Sequence, residues 1–363
     1  MAEVSGRMRI TENETYRALL HELIENFPCW KKIKGKSILI SGASGMLGSM
    51  LVDVLMLRNE SVPPQLRNRV LATSRGAAAA KERFSCWMER EDFHYFPHDI
   101  IEPLTDFAEK PELLIHAAST THPAQYVGEP INTILANIQG TKNMLDVAAK
   151  VPGARFLLVS SVEVYGENRG DVDYFDEKYC GYIDCNTLRA GYPEAKRVSE
   201  AMCQAYIKEK EIDAVIIRLP RCYGPTMKRN DSKALSQFIN KGLAGEDIVL
   251  KSEGHQFYSY AFAADAVLGM LYALVNGACG ESYNLADKNS DITLKDLASL
   301  VAETTGRKVV FELPDAAERA GYSTATRAVM KSEKLRGLGW KSAYDIQTGL
   351  CKTIDILRKL EKT

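Results

Sequence analysis

The sequence carries no surplus of charge and no long apolar run, and each absence excludes a class of partner. Its 46 Lys and Arg residues balance 47 Asp and Glu residues, so the chain has no bulk attraction for nucleic acid or for an anionic membrane surface. No apolar run approaches the roughly 20 residues that a membrane-spanning helix needs. We therefore expect neither a nucleic acid nor a membrane as a partner.

Metal-ligand spacing and a secretory signal are also missing. The eight cysteines are scattered, and their one close pair, Cys180 and Cys185, matches no common zinc pattern that the six histidines complete. Cysteines in a chain without a signal peptide are typical of reduced thiols. The sequence thus predicts no metal site and a cytoplasmic location.

A glycine-rich turn stands between a short strand and a long helix, and the chain is organised around it. The strand pattern covers residues 37–41 and the apolar helix pattern covers 50–57, with Gly42, Gly45 and Gly48 between them. Glycines let the backbone approach a pyrophosphate, and the helix N-terminus adds N–H groups and a positive dipole. This order of elements predicts a dinucleotide site, although the spacing is G-x-x-G-x-x-G and not G-x-G-x-x-G.

Strand and helix patterns then alternate along the 363 residues. They predict an α/β fold: a Rossmann-type doubly wound parallel sheet with a smaller, interleaved C-terminal α/β substrate lobe. We expect an N-terminal helical extension at 1–34, an NAD(P)-binding domain at 35–225 and a mainly substrate-binding lobe at 226–363. An amphipathic pattern at 12–27 predicts a helix packed on the domain edge. Further strands are expected at 69–74, 93–96, 113–119, 156–161 and 214–219, and long helices at 131–151 and 192–210.

The end of the second strand bears on which dinucleotide is bound. NAD sites of this kind place an acidic residue there to hold the ribose 2′-hydroxyl, whereas this chain has Ser74 and Arg75. A guanidinium suits a 2′-phosphate, so the cofactor is NAD or NADP, with a preference for NADP. Asp99, after the third strand, is a candidate acceptor for the adenine amino group, and His116 is expected to be a core histidine.

Tyr192 and Lys196 open the last long helix pattern. Residues four apart lie on the same helical face, and a nearby ammonium stabilises a phenolate and lowers the pKa of the tyrosine towards a useful range. Following a dinucleotide fold and a strand that ends in Ser160-Ser161, this pair indicates acid–base catalysis.

These motifs together resemble the extended short-chain dehydrogenase/reductase family, which contains NAD(P)-dependent nucleotide-sugar epimerases, dehydratases and decarboxylases. The resemblance runs from about residue 36 to residue 358. It rests on the three glycines, Ala117-Ala118, Ser160-Ser161, Val164-Tyr165-Gly166, Tyr192 with Lys196, Arg218, Tyr223-Gly224-Pro225 and Leu338-Gly339-Trp340.

Within that family the chain is most similar to the UDP-glucuronate decarboxylases. Residues 177–184 resemble their Glu-x-Tyr-Trp-Gly-x-Val-Asn segment, and residues 192–197 resemble their Tyr-Asp-Glu-Gly-Lys-Arg. Glu163 stands where decarboxylases and several dehydratases have a working glutamate.

Three departures from the family pattern limit this comparison. Tyr258 replaces the arginine of Gly-x-Gln-x-Arg, which binds the diphosphate or assists the carboxylate, and this argues against decarboxylation. Arg221 replaces the asparagine of Arg-x-x-Asn-x-Tyr-Gly-Pro, and we hypothesise that it supplies the lost diphosphate contact. Val162 replaces the aspartate that serves as an acid in glucose 4,6-dehydratases, which weakens the case for dehydration.

The resemblance also implies the roles of individual residues and a homodimer formed through the two long helices. The implied catalytic residues are Tyr192, Lys196, Ser161 and Glu163, with Ser160 as second choice for the serine. The implied substrate-binding residues are Thr120, Glu163, Arg221 and Tyr258. The expected cofactor-binding residues are Gly42, Ser44, Gly45, Met46, Leu47, Gly48, Ser74, Arg75, Asp99, Ile100, Ala117, Ala118, Ser119, Asn137, Ser160, Tyr192, Lys196 and Leu219.

The function expected from these residues is that of a nucleotide-sugar epimerase or dehydratase that works through a transient 4-keto sugar. Tyr192 takes the proton of a sugar hydroxyl, Ser161 hydrogen-bonds the same hydroxyl, and Glu163 acts as base beside the ketone. Val162 favours epimerisation. The alternatives are a UDP-glucuronate decarboxylase-like enzyme, a keto-sugar reductase and a non-catalytic dinucleotide sensor, although a sensor does not need the Tyr192–Lys196 pair.

Overall fold

A fully parallel sheet of seven strands forms the centre of the computed structural model, which describes residues 8–104, 110–119, 128–312 and 325–361. Thr120 lies outside the described residues. The strands described are β1 (Ser37–Ser41), β2 (Arg69–Ser74), β3 (Phe93–Pro97), β4 (Leu113–His116), β5 (Arg155–Ser161), β6 (Asp213–Leu219), β7 (Arg221–Tyr223), β8 (Ile248–Leu250), β9 (Phe257–Phe262), β10 (Ser282–Asn284), β11 (Asp291–Thr293), β12 (Val309–Phe311) and β13 (Arg327–Ala328).

The order of strands in this sheet is β3-β2-β1-β4-β5-β6-β10. Every residue of β1 is buried, as expected for a parallel strand covered by helices on both faces. The strand order reverses between β1 and β4, and ligands of doubly wound sheets bind in the crevice outside the carboxyl ends of the strands at such a point. The predicted α/β Rossmann fold is confirmed.

The predicted helices agree with the structure to within a few residues. Among the predicted strands, the fourth differs most, because it was expected at 113–119 but ends at His116 and leaves 117–119 as a loop. The helices described are α1 (Glu14–Glu25), α2 (Met46–Glu60), α3 (Ala77–Arg83), α4 (Pro130–Ala149), α5 (Gly191–Lys210), α6 (Ala234–Leu243), α7 (Ala263–Asn276), α8 (Leu294–Thr305), α9 (Glu333–Arg336) and α10 (Ile346–Glu361).

A second, smaller sheet lies beyond the carboxyl end of β6. Strand β9 is its centre and pairs with β7, β11 and β13, while β8 and β12 form a separate pair. Strand β10, which comes late in the chain, returns to the large sheet and pairs with β6. The expected division into domains at residue 225 stays a prediction. Strands from both sides of that residue share the large sheet.

The chain segments before and after the large sheet contribute to one core. Tyr16 of α1 is fully buried and its hydroxyl donates to Asp53 of α2 at 2.7 Å. Arg83 and Trp87 also donate to the carboxylate of Asp53. Near the other end of the chain, Trp340 is 1% exposed and its indole N–H donates to the carbonyl oxygen of Asp265. The predicted N-terminal helix therefore packs on the domain, as expected.

Within the described residues, no helix is long and apolar enough to cross a membrane. The same residues contain no group of three His, Cys, Asp or Glu side chains placed to hold a metal ion.

Candidate active site

The glycine turn brings the chain close to the end of β4. Gly42 has φ +72°, and a Cβ atom there would lie 2.6 Å from the backbone nitrogen of Ala118. A Cβ atom on Gly48 would collide with the carbonyl oxygen of Gly42. Gly45 occupies the N-cap of α2 and has no side chain with which to cap it, and the N–H groups at such a helix start are suited to bind a phosphate. The turn thus fits the pyrophosphate of a dinucleotide.

Small side chains continue this cradle across the switch point. Ala117, Ala118 and Ser119 are half-buried, and the Ser119 hydroxyl donates to Oδ1 of buried Asn137 on α4 at 2.9 Å. Ser44, Met46 and Leu47 are likewise half-buried at the start of α2, and Leu219 is buried at the end of β6.

The outer residues expected to hold the adenosine lie beyond β2 and β3. Arg75 is exposed, and the Ser74 hydroxyl lies 3.1 Å from the Tyr95 hydroxyl. Asp99 accepts the backbone N–H of residue 101, and Asn143 of α4 donates to the carbonyl oxygen of Ile100. Their role in cofactor binding stays a prediction.

Tyr192 lies at the heart of the site, at the start of α5. It is 5% exposed and its hydroxyl is hydrogen-bonded by Ser161 and Ser119. Burial raises the pKa of Tyr192 to about 12, and the nearby charge of Glu163 acts in the same direction. A buried hydroxyl between two serines is well placed to exchange a proton with a bound alcohol.

Lys196 lies near the face of the Tyr192 ring. Its ammonium is 6.0 Å from the ring centroid and donates to the carbonyl oxygen of Val159 at 2.9 Å. Burial lowers the pKa of Lys196 to about 8, and the charge of Glu200 opposes that shift. The expectation that Lys196 lowers the pKa of Tyr192 stays a prediction, and in the protein alone burial of the phenol is the largest influence on that pKa.

Of the two adjacent serines, Ser161 contacts Tyr192 and Ser160 does not belong to that contact. Successive residues of a strand point to opposite faces, and Ser160 donates to Oε1 of Glu200 at 2.6 Å. Glu200 also forms an ion pair with Arg218 at 2.6 Å. This contact argues against the prediction that Ser160 could replace Ser161 as the catalytic serine. Glu200 was missed, although its place one turn after Lys196 was a usable signal.

Glu163 lies between two arginines. Its carboxylate is 3.8 Å from Arg189 and 3.7 Å from Arg221, and its backbone N–H donates to the Ser161 hydroxyl. Arg189 was not predicted, because nothing in its local sequence distinguishes it from a solvated arginine.

Arg221 and Tyr258, the two substituted motif positions, contact each other. The guanidinium carbon of Arg221 lies 3.5 Å from the centroid of the Tyr258 ring. The Tyr258 hydroxyl donates to the carbonyl oxygen of Ala325 at 2.6 Å, so the ring is held in place. A cation is therefore present at the position where the family arginine has been replaced by tyrosine.

His116 is fully buried, as expected of a core histidine. Its Nδ1 lies 2.7 Å from the Ser41 hydroxyl, and burial lowers its pKa to about 3. The imidazole is neutral at physiological pH and supports the loop that follows β4.

Comparison with known proteins agrees with this fold and site. The model of the NAD dependent epimerase/dehydratase family matches residues 38–286. UDP-glucuronic acid decarboxylase 1 of Xenopus tropicalis is 32% identical over 324 residues, which cover 89% of this chain and 72% of that protein.

Solved structures share the fold at lower sequence identity. UDP-glucuronic acid 4-epimerase of Bacillus cereus, solved with UDP-glucuronic acid and NAD, has a TM-score of 0.75 at 20% identity and covers 89% of this chain and 99% of that one. The dTDP-glucose 4,6-dehydratase of Bacillus anthracis, solved with NAD, has a TM-score of 0.74 at 18% identity and covers 90% and 98%. The dinucleotide cradle, the buried Tyr192 and the match of the family model lead to one conclusion: the chain belongs to the NAD-dependent epimerase/dehydratase family and is an enzyme.

Proposed function

We propose that this enzyme decarboxylates a nucleotide-linked uronic acid through a transient 4-keto sugar, with UDP-glucuronate as the substrate to test first. The observation that carries the proposal is the position of Glu163 between Arg189 and Arg221, next to Tyr192. Two guanidinium groups beside the reacting centre suit a sugar that carries a carboxylate. The relatives named as UDP-glucuronic acid decarboxylases support the same choice.

The main sequence argument against decarboxylation is the missing arginine at position 258. The structure weakens that argument, because the guanidinium of Arg221 covers the Tyr258 ring. We therefore rank the decarboxylase above the epimerase, which the sequence alone had favoured.

The cofactor is NAD(P), held by the glycine turn, Ala117, Ala118 and the first turn of α2. When bound, the cofactor would supply reversible hydride transfer with C4 of the sugar. Arg75 supports NADP as the form bound, because it stands where NAD sites carry an acid.

The residues of the chain supply the proton transfers. Tyr192 takes the proton of the C4 hydroxyl while Ser161 hydrogen-bonds that oxygen. Once C4 is a ketone, the carboxylate on C5 is β to it, so the C5–C6 bond breaks, CO₂ leaves and its electron pair forms the enolate of C4 and C5. Glu163 then relays a proton from solvent to C5, which converts the enolate into a 4-keto pentose. Tyr192 returns its proton to the C4 oxygen when that ketone is reduced.

The test is to incubate the purified protein with UDP-glucuronate and NAD⁺ or NADP⁺ and to follow the nucleotide sugars by mass spectrometry and proton NMR. Loss of the mass of CO₂ without net cofactor reduction is the expected result. Tyr192→Phe is the matched inactive control, and UDP-glucose is the neutral control substrate.

A 4-epimerase of the same substrate is the second candidate, favoured by tyrosine at position 258. An epimerase would give an isomer of unchanged mass, and the NMR spectrum would show the inverted configuration at C4. Turnover of UDP-glucose in preference to UDP-glucuronate would contradict both candidates.

We also propose a homodimer that packs through α4 and α5. These helices lie against each other and expose apolar side chains to solvent: Ile131 at 70%, Leu135 at 40% and Val198 at 42%. Leu135→Glu is expected to convert the dimer to monomer in light scattering, whereas Phe311→Glu, which changes an exposed phenylalanine elsewhere, is expected to leave it a dimer. A wild-type protein that is monomeric at micromolar concentration would contradict the proposal.

A further inference from the structure

Two positions that depart from the family motifs are brought together by the small sheet. Strands β7 and β9 are parallel, and Arg221 pairs with Tyr260. Tyr258 lies two residues before Tyr260 and so presents its side chain on the same face. The register therefore places the arginine of one motif directly over the tyrosine of the other.

Tyr258 acts as a fixed platform for the guanidinium. It is 5% exposed, its hydroxyl is anchored to the carbonyl oxygen of Ala325, and the Arg221 guanidinium carbon is 3.5 Å from its ring centroid. Stacking of a guanidinium on an aromatic face is favourable and leaves the edge of the guanidinium, with its N–H donors, available.

The edge of Arg221 retains binding capacity. Its Nη2 is 3.7 Å from the Glu163 carboxylate, a distance too long for a hydrogen bond. Its Nη1 is buried and, among the residues that the structure describes, has no hydrogen-bond partner. A buried, unpaired N–H of a cation is costly, and an oxyanion of the substrate would satisfy it.

The position of this donor distinguishes a carboxylate from a diphosphate. Glu163 lies 3.7 Å from Arg221 and close enough to Tyr192 for its charge to raise the pKa of that tyrosine, and in the proposed mechanism Tyr192 acts on the C4 hydroxyl. The uronate carboxylate is attached at C5, next to C4, whereas the diphosphate is attached at C1 across the sugar ring. The geometry therefore favours the carboxylate as the group that Arg221 binds.

We propose that Arg221, stacked on Tyr258, is the specificity-determining residue for the substrate carboxylate, so that this chain has moved its anion contact from β9 to β7. This rests on the proposed function, in which the substrate is a uronate. The substitutions at positions 221 and 258 are coupled. An arginine at 258 beside Arg221 would place two cations in contact, whereas tyrosine supports the guanidinium.

The test measures binding to the cofactor-loaded protein by calorimetry with UDP-glucuronate, UDP-glucose and UDP. Arg221→Asn, which introduces the residue usual in the family, is expected to weaken UDP-glucuronate about 10- to 100-fold and to leave UDP-glucose and UDP within about threefold. Arg221→Gln is the second variant if Asn impairs folding.

Variants at the platform test the coupling. Tyr258→Leu removes the stacking surface and is expected to weaken UDP-glucuronate selectively. Tyr258→Phe keeps the ring but loses the anchoring bond to the carbonyl oxygen of Ala325, so it is expected to weaken UDP-glucuronate less than Tyr258→Leu does. The double variant Arg221→Asn/Tyr258→Arg is expected to recover most of the lost affinity, because it rebuilds the family arrangement.

Equal weakening of all three ligands by Arg221→Asn would assign Arg221 to the diphosphate and overturn the proposal. So would unchanged binding of UDP-glucuronate, or a double variant no better than Arg221→Asn alone. Failure of the proposed function is a separate result, since there the wild type itself neither binds nor converts UDP-glucuronate.

Discussion

The proposed cofactor side and the proposed substrate side of this site are built by different means. On the cofactor side the backbone does the positioning, and Gly42 and Gly48 leave no space for a side chain against Ala118 and the turn itself. On the substrate side, pairs of side chains from strands that are far apart in sequence do the positioning, as with Arg221 over Tyr258. A backbone constraint requires one residue type, glycine, at one position. A side-chain contact can be supplied from a different position, as long as the positive charge lies in the same place.

The largest effect is expected from Gly42→Ala. The φ of +72° costs an L-residue about 1–2 kcal/mol, and the added Cβ meets the backbone of Ala117 and Ala118. We expect a markedly lower midpoint of thermal unfolding and loss of retained dinucleotide, measured by mass spectrometry of the denatured protein. Gly128→Ala is the control, because no atom of the described residues lies within 4 Å of its Cβ position. If Gly42→Ala retains the cofactor like the wild type, the backbone does not define this side.

Tyr192→Phe is expected to have the next largest effect, a fall in kcat of about 10²–10⁴-fold, which is the usual contribution of a general acid–base group. The affinity for the nucleotide sugar should change little, because the ring remains. Tyr206→Phe, on the same helix, removes a hydroxyl that donates to Asp146 and should leave kcat unchanged. Steady-state kinetics decide, and a Tyr192→Phe enzyme with normal kcat would exclude Tyr192 as the proton carrier.

A smaller effect, about tenfold, is expected from Arg75→Ala on NADP affinity. An exposed guanidinium contributes one charge-assisted contact to a 2′-phosphate and none to a 2′-hydroxyl. NAD affinity should therefore stay constant in fluorescence titrations. If both affinities fall together, or neither does, Arg75 does not read the 2′-phosphate.

The smallest effect is expected from Glu200→Gln on the pH profile of kcat/KM. Burial sets the pKa of Lys196 at about 8 and the charge of Glu200 opposes that shift, so removing the charge lowers the pKa further. Activity that needs the Lys196 ammonium is lost as pH rises through this pKa, and the alkaline limb should move to lower pH by less than about one unit. Ser160→Ala, which keeps the carboxylate, should leave the limb where it is. A limb that does not move in Glu200→Gln would mean that another group sets it.

The sequence was a good guide wherever the backbone or a period decides the structure. The glycine turn, the alternation of elements and the face shared by Tyr192 and Lys196 were all readable, because each depends on local geometry. The helix at Glu14–Glu25 was readable for the same reason.

Contacts between segments that are far apart in sequence could not be predicted. The pairing of Arg221 with Tyr258 needs the register of β7 on β9, and the ion pair of Arg189 with Glu163 needs the fold of the loop before α5. Burial, which a sequence does not show, is the largest influence on the pKa of Tyr192, so the sequence could not predict that pKa.

The buried positions of Tyr16 and Trp340 bear on how fragments of this enzyme should be chosen. The family model matches residues 38–286, yet Tyr16 precedes that segment and Trp340 follows it, and both are buried in the interior. A fragment trimmed to the matched segment would leave a cavity at each site and the Asp53 carboxylate without its tyrosine donor. The segment that the family model matches is thus shorter than the segment that we expect to fold alone, and expression of the catalytic unit should retain both flanks.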